Sequence, residues 1–186
     1  MFGKHNLQNM HAAQLACEQI GISEAQFMAA IQSFTGASNR LELICKAEDR
    51  VAYKDFAHSP SKLRATINAV REEYPKLKLV AVMELHTFSS LMAEFLPQYN
   101  GYMAEADVAF VYFNPKVVEH KRLTPITKVE VAEAFATPNV RVFTDSQELQ
   151  DVLRTMNFKD TALLMMSSGT FDGININEFA THLLTR

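Results

Sequence analysis

The apolar positions of this chain change period twice, and the changes divide it. Over the first 36 residues Leu7, Met10, Ala13, Cys17 and Ile20 recur at spacings of three and four, which places them on one face of a helix. Gly21 closes that helix where a left-handed C-cap is usual. Ser23-Glu24-Ala25-Gln26 reads as a capping box, with Ile22 and Phe27 in the positions of a hydrophobic staple. Phe27, Ala30, Ile31 and Phe34 carry the stripe of a second helix, and 35–39 reads as a linker. After the linker the period shortens to that of strands. Leu41 to Lys46 and Val51 to Phe56 flank a polar turn as a hairpin, and Ser59-Pro60 opens a helix with its buried stripe at Leu63, Ile67, Val70 and Tyr74.

From there strands and helices alternate. Leu77 to Leu85 is an apolar run interrupted only by Lys78 and Glu84, the pattern of a strand covered on both faces. Val108 to Phe113, Val140 to Phe143 and Ala162 to Met166 repeat it, with helices expected near 88–103, 127–136, 145–156 and 175–184. Thr127 with Glu130, Thr144 with Gln147, and Asn175 with Glu178 are expected to cap three of these. The alternation predicts an α/β fold, a Rossmann-like, mostly parallel sheet with flanking helices and an N-terminal β-hairpin, preceded by two separate helices. Ligands of such sheets bind beyond the carboxyl ends of the strands. The polar segments leaving those ends are 55–59, 84–90, 114–115 and 167–177.

Composition narrows the function. The 186 residues are 48% hydrophobic and 21% charged with a net charge of -3, which argues against disorder and against a nucleic-acid backbone binder. Six glycines are few, and the one Gly-Lys pair, Gly3-Lys4, has no glycine before it, so no Walker-type phosphate loop is present. Cys17 and Cys45 lack metal-ligand spacing and read as reduced, buried thiols. No apolar run reaches the length of a membrane span and no signal peptide is evident, so a soluble, cytoplasmic protein with no membrane partner is expected. No metal site is assigned. The first residues enter a helix with no strand before it, which reads as a cut in a longer chain.

Three blocks are more specific than the architecture: Gly3-Lys4-His5-Asn6-Leu7-Gln8-Asn9-Met10-His11-Ala12-Ala13, then Phe34-Thr35-Gly36 with Arg40-Leu41-Glu42, then Asp55-Phe56-Ala57-His58-Ser59-Pro60 opening a helix. In this order and spacing they resemble the ATP-dependent Mur ligases of peptidoglycan synthesis, over essentially the whole chain. The resemblance implies residues 1–37 as the last helices and linker of a central ATP-binding domain, and 38–186 as the C-terminal domain. It implies an enzyme that uses ATP and Mg²⁺ to convert a carboxylate of a UDP-muramyl substrate into an acyl phosphate, which an amine then attacks. The phosphate loop and metal ligands of such an enzyme belong to a central domain outside these residues, so the N-terminal and central domains of the same full-length chain are expected partners. The fragment alone is expected to be inactive.

Residue by residue, His5, Asn6 and Asn9 match the adenine-side helix, Arg40 an arginine that reaches the nucleotide from the linker, and Asp55 an acidic residue that contacts ribose. His58 matches a histidine at the reaction centre. Lys62, in the first turn of the next helix, is a candidate for an anionic substrate group. Without the family, Asn6 and Asn9 also suit an exposed helix, and Arg40 and Lys62 solvated charges.

Two further stretches bear on the amine. Ligases that add L-alanine carry a His-Arg-aromatic-(Ser/Thr)-Arg pattern where this chain has His86-Thr87-Phe88-Ser89-Ser90, without either arginine. The tail Met166-Ser167-Ser168-Gly169-Thr170-Phe171-Asp172-Gly173-Ile174-Asn175 is similar to that of murein peptide ligases, which join L-alanyl-γ-D-glutamyl-meso-diaminopimelate to UDP-N-acetylmuramate in peptidoglycan recycling. It departs from their pattern at Thr170, Asp172 and Asn175. His86, Ser168, Gly169 and Phe171 are therefore the expected substrate contacts. The alternatives are a UDP-N-acetylmuramate–L-alanine ligase and, in another class, a non-catalytic nucleotide- or peptide-binding module.

Overall fold

The computed structural model describes residues 2–34, 36–138 and 140–185. Two helices, α1 (Lys4–Gln19) and α2 (Glu24–Ile31), come first. The capping box is in place: Ser23 Oγ accepts from Gln26 N, and the Gln26 side chain accepts from Ser23 N. The apolar stripe of α1 does not find a core. None of its residues is buried, with Leu7 51% and Ile20 76% exposed, and α2 buries Phe27 alone. Amphipathicity sets which face seeks cover, but the described residues supply little to cover it.

The remainder is a six-stranded sheet of β1 (Glu42–Lys46), β2 (Arg50–Asp55), β3 (Lys78–Glu84), β4 (Val108–Tyr112), β5 (Arg141–Phe143) and β6 (Thr161–Met166), in the order β1-β2-β6-β3-β4-β5. Only β1 runs antiparallel, as the first arm of the expected hairpin, and every other pairing is parallel. The fold is the Rossmann-like α/β domain that the alternation predicts. One face of the sheet packs on α3 (Pro60–Glu73), α4 (Pro115–His120) and α5 (Lys128–Phe135), which contribute Leu63, Ile67, Val118, Val131 and Phe135. The other packs on α6 (Ser146–Thr155) and α7 (Ile176–Leu184) through Leu149, Leu153, Phe179 and Leu183. Strands covered on both faces explain the near-continuous apolar runs of β3 and β6.

Three expectations and one omission need correction. The segment 88–103 is not a helix; it forms 3₁₀ turns at Ser89–Leu91 and Leu96–Tyr99. Thr87 and Ser90 bond to each other's backbone, Ser90 N to Thr87 Oγ1 and Ser90 Oγ to Thr87 O, and Pro97 cannot donate to a helical ladder. Helix α4 was not foreseen although Asn114-Pro115 announces it: the Asn114 side chain accepts from Lys116 N, with Pro115 in the first turn. The cap of α6 is Asp145, which accepts from Gln147 N and Glu148 N, rather than Thr144. Thr127 and Asn175 cap α5 and α7 as expected. Cys17 and Cys45 are free and half-buried rather than buried.

The sheet order also locates a site. The chain leaves β3 toward β4 on one side, whereas it leaves β6 for α7, which lies over β1 and β2 on the other. The crevice between the carboxyl ends of β3 and β6 is thus a topological switch point, where open α/β sheets bind ligands.

Candidate functional site

The site begins with the linker. Leu41 N donates to Asp55 Oδ2 at 2.7 Å, Phe56 N to Asn39 O at 2.7 Å, and Asn39 N to Glu42 Oε2 at 2.8 Å. Asn39 and Leu41 both sit at positive φ, 56° and 42°, so Arg40 is held between two left-handed residues. A leucine costs about 1 kcal/mol in that region, and such strain survives only where neighbouring bonds enforce it. Glu42 is held below its ordinary carboxylate range by the Asn39 amide and by Lys54, 3.1 Å away.

Asp55 ends β2 and supplies the second half of the bracket. Its Oδ1 accepts from Ala57 N at 2.6 Å and from Thr66 Oγ1 at 3.3 Å. Burial pushes its carboxyl above the usual range, against the lowering effect of these donors. Its carboxylate therefore faces the protein's own backbone as well as the cavity beside it.

That cavity, about 330 Å³, is lined by His5, Asn9, Arg40, Asp55, Lys62 and Thr66 among others. Its volume lies at the small end of ligand pockets. Helix α1 provides His5 and Asn9 one turn apart, β2 provides Asp55, and the first two turns of α3 provide Lys62 and Thr66. Two fixed cations, an imidazole and an amide surround one carboxylate, a donor-rich lining that suits an anion carrying hydroxyl groups. Helix α1 reaches α3 only because residue 3 is glycine: a Cβ there would lie 2.7 Å from Ala69 Cβ, and its φ is +89°. Gly3→Ala is expected to lever α1 off α3 and cost about 1–2 kcal/mol. Hydrogen exchange should show faster opening of the α1 amides with the sheet unchanged; equal protection of both would rule this contact out as the anchor.

Two of the sequence candidates lie beside the cavity rather than in its lining. The Asn6 side chain donates to Phe2 O at 2.9 Å. His58 places Nδ1 2.9 Å from Phe56 O; a carbonyl only accepts, so Nδ1 carries the proton and Nε2 is the free ring nitrogen. Buried Tyr99 donates to His58 O at 2.7 Å and stacks on Phe135 at 5.0 Å, which fixes the loop that carries the histidine.

His86, Ser168 and Gly169 gather separately, at the switch-point crevice. Phe171 is there too, but its side chain is fully buried against Tyr112 and presents only backbone to the crevice. The sequence reading missed Glu84, which lies beneath this loop with its carboxylate buried. Its one sequence signal was an acid inside an apolar strand. Strands β2, β6 and β3 are adjacent, and Asp55 pairs with Met166, which pairs with Met83. At about 4.8 Å per strand the two sites sit about 10 Å apart on one sheet edge. Among the described residues no three His, Cys, Asp or Glu side chains gather as a metal site, and no helix is long and apolar enough to cross a membrane.

A mostly parallel sheet covered on both faces, with two polar clusters on its carboxyl edge, defines a Rossmann-like α/β domain. A family model described as "Mur ligase, glutamate ligase domain" matches residues 39–169, and the chain belongs to the Mur ligase family as a C-terminal domain. It is 29% identical over 189 aligned residues to the UDP-N-acetylmuramate–L-alanine ligase of Chlorobaculum parvum, covering 99% of this chain and 38% of that protein. It thus spans about two fifths of that relative's length. The UDP-N-acetylmuramate–alanine ligase of Thermotoga maritima shares the fold with a TM-score of 0.71 at 17% identity, over 99% of this chain and 38% of that one. A domain assigned to a UDP-N-acetylmuramate:L-alanyl-γ-D-glutamyl-meso-diaminopimelate ligase of Haemophilus ducreyi aligns with a TM-score of 0.53 at 27% identity, over 78% of this chain and 98% of that one.

Proposed function

We propose that this chain is the C-terminal part of an ATP-dependent ligase that joins an amine to UDP-N-acetylmuramate, in the cytoplasm. Residues 1–37 belong in this reading to the central ATP-binding domain and 38–186 to the C-terminal domain. The observation that carries it is the cavity where His5 and Asn9 of the helical pair meet Arg40, Asp55 and Lys62 of the sheet domain. ATP, with Mg²⁺ held by a central domain, supplies the phosphoryl group that activates the carboxylate. Arg40 neutralises phosphate charge, and Lys62, read from the sequence as a substrate contact, joins it here because it lines the same cavity; Asn9 and His5 meet the base, and Asp55 accepts from ribose hydroxyls. His58, with Nε2 free, stands next to the same wall. The uncovered apolar face of α1 and α2 is where the rest of a central domain packs.

The amine is a peptide's, the tripeptide L-alanyl-γ-D-glutamyl-meso-diaminopimelate. Thr87 and Ser90 stand where alanine-adding ligases carry arginines, and Ser90 is buried in a local turn, so loop 86–90 lacks the two arginines that would clamp a small free carboxylate. The relatedness to L-alanine ligases favours alanine as a second reading. A competition assay with the full-length enzyme decides between them. The tripeptide is expected to be consumed at least 100-fold faster than free L-alanine at equal concentration, and preference for alanine would reverse the assignment. ADP titrated into this chain is expected to bind about 10-fold more weakly after Lys62→Ala, since one phosphate contact is worth about 1.4 kcal/mol. Unchanged affinity would remove Lys62 from the site.

A further inference from the structure

Glu84 is more than a fastening. It ends β3 with 3% of its side chain exposed, and its Oε2 accepts from Phe171 N at 2.8 Å and from Ser167 Oγ. Ser167 Oγ in turn accepts from Gly169 N at 2.7 Å, so one carboxylate oxygen ties the whole loop after β6 to β3. An amide oxygen would serve equally well for that purpose. The second oxygen, Oε1, is not used in this way; it faces His86 Nδ1 at 3.5 Å, and the imidazole is 38% exposed. The crevice is built around this pair. A Cβ on Gly169 would lie 2.7 Å from His86 Cγ and Nδ1 and 2.9 Å from Glu84 Oε2, so the loop closes over the two side chains only because residue 169 has none. Beside it Ser168 Oγ is buried with no partner.

The buried carboxylate faces Nδ1 of a half-exposed imidazole, which leaves Nε2 as the ring nitrogen turned away from Glu84. We propose that His86 is the base that receives the proton of the attacking amine, and that Glu84 is the positioning residue that orients it. This rests on the ligase reading above. In the step, the amine nitrogen's lone pair forms the C–N bond at the acyl carbon of an acyl phosphate. The carbon–oxygen bond to phosphate breaks, and phosphate leaves with that electron pair. The proton lost by nitrogen goes to His86 Nε2 and from there to water. The crevice lies about 10 Å along the sheet edge from the nucleotide cavity, on the same carboxyl side of the sheet. Glu84 is the charged group set against His86. The neighbouring phenol, Tyr112 on β4, is pushed up by burial and by the charges of Asp172, Glu84 and Asp145, stays neutral, and adds no opposing charge.

The test uses the full-length ligase with two readouts. Acyl phosphate formation is trapped with hydroxylamine, a nucleophile that is neutral at working pH and needs no base. Amide formation is followed at saturating peptide from pH 5.5 to 9. His86→Gln is expected to slow amide formation by about 100-fold in kcat, the usual size of a general-base effect, with hydroxamate yield retained and the acidic limb of the profile abolished. Glu84→Gln keeps an acceptor for Ser167 and Phe171 and removes the charge behind the ring. Its kcat for amide formation is expected to fall about 10-fold with KM for the peptide unchanged, because the base is no longer held in line with the amine. A His86→Gln variant that raises KM for the peptide while kcat and the pH profile stand unchanged would overturn the base assignment and leave His86 a binding contact. An unchanged kcat in Glu84→Gln, or a loss carried by KM alone, would overturn the positioning role. If the unsubstituted enzyme itself yields no hydroxamate, the ligase reading fails first, which separates the two.

Discussion

Asp55→Ala is expected to loosen the protein and empty the nucleotide cavity of its organisation in one change. The substitution strands Leu41 N and Ala57 N, which now donate to the carboxylate at 2.7 and 2.6 Å. Each unsatisfied backbone donor costs about 1–3 kcal/mol, and water entering the cavity together with relief of the buried charge returns part of it. The net loss should be about 2 kcal/mol by urea denaturation. Released from its tether, Leu41 returns from φ 42° to the ordinary region, and Arg40 leaves the cavity wall. ADP binding should therefore fall further than the loss of one ribose contact explains.

The pH dependence of the same variant carries a sign. Burial raises the Asp55 carboxyl above its unfolded value, so its titration-linked stability is complete below the unfolded pKa and is lost as pH rises through the folded one. The stability gap between the unsubstituted protein and Asp55→Ala should be widest in acid and narrow across that window. A gap that widens with pH would show that the backbone donors outweigh burial.

Phe171→Ala is the second large effect. The ring is fully buried in the core between the sheet and α6–α7, with Tyr112 6.1 Å away. Truncating such a ring costs about 3–5 kcal/mol. For a chain of this size that lowers Tm by about 10 °C. Phe171 also holds φ 49°, followed by Asp172 at 64°, so the loop has little slack and Glu84 loses its grip on Phe171 N as the backbone shifts. Nucleotide binding at the β2 cavity should survive, since the lining meets the loop where Ser167 N donates to Asp55 O at 3.0 Å, four residues before the ring. A loss below about 1 kcal/mol would mean the ring is not the plug of this core.

Most of the fold was legible because its strands are covered on both faces and the chain says so in unbroken apolar runs. Where a segment's helix depended on local chemistry rather than on period, the reading failed: 88–103 has enough apolar residues for a helix, but Thr87, Ser90 and Pro97 divert the backbone into turns. His5, Asn9, Arg40, Asp55 and Lys62 were legible through the resemblance to Mur ligases, since periodicity alone leaves the asparagine and the cations as surface residues; the structure brings all five to one cavity. Glu84 was not legible. It looked like a polar interruption of a strand, and its meaning comes from Ser167 and Phe171, which lie 83 and 87 positions on and arrive only through the sheet order. Phe171 failed the other way: sequence offered it as a substrate contact, and three-dimensional packing assigned it to the core.

The placement of β6 has a consequence in time. The two halves of this sheet, β1-β2 on one side and β3-β4-β5 on the other, have no bonds to each other; both rest on the last strand made. On a ribosome the linker bracket around Asp55 can form from residues 39–66 alone, whereas the crevice over Glu84 needs residues 161–171. Closure of the sheet by so late a segment makes folding depend on distant contacts and so slow it. A chain cut after β5 is expected to be two unpaired sheet edges seeking partners, and a target for proteolysis.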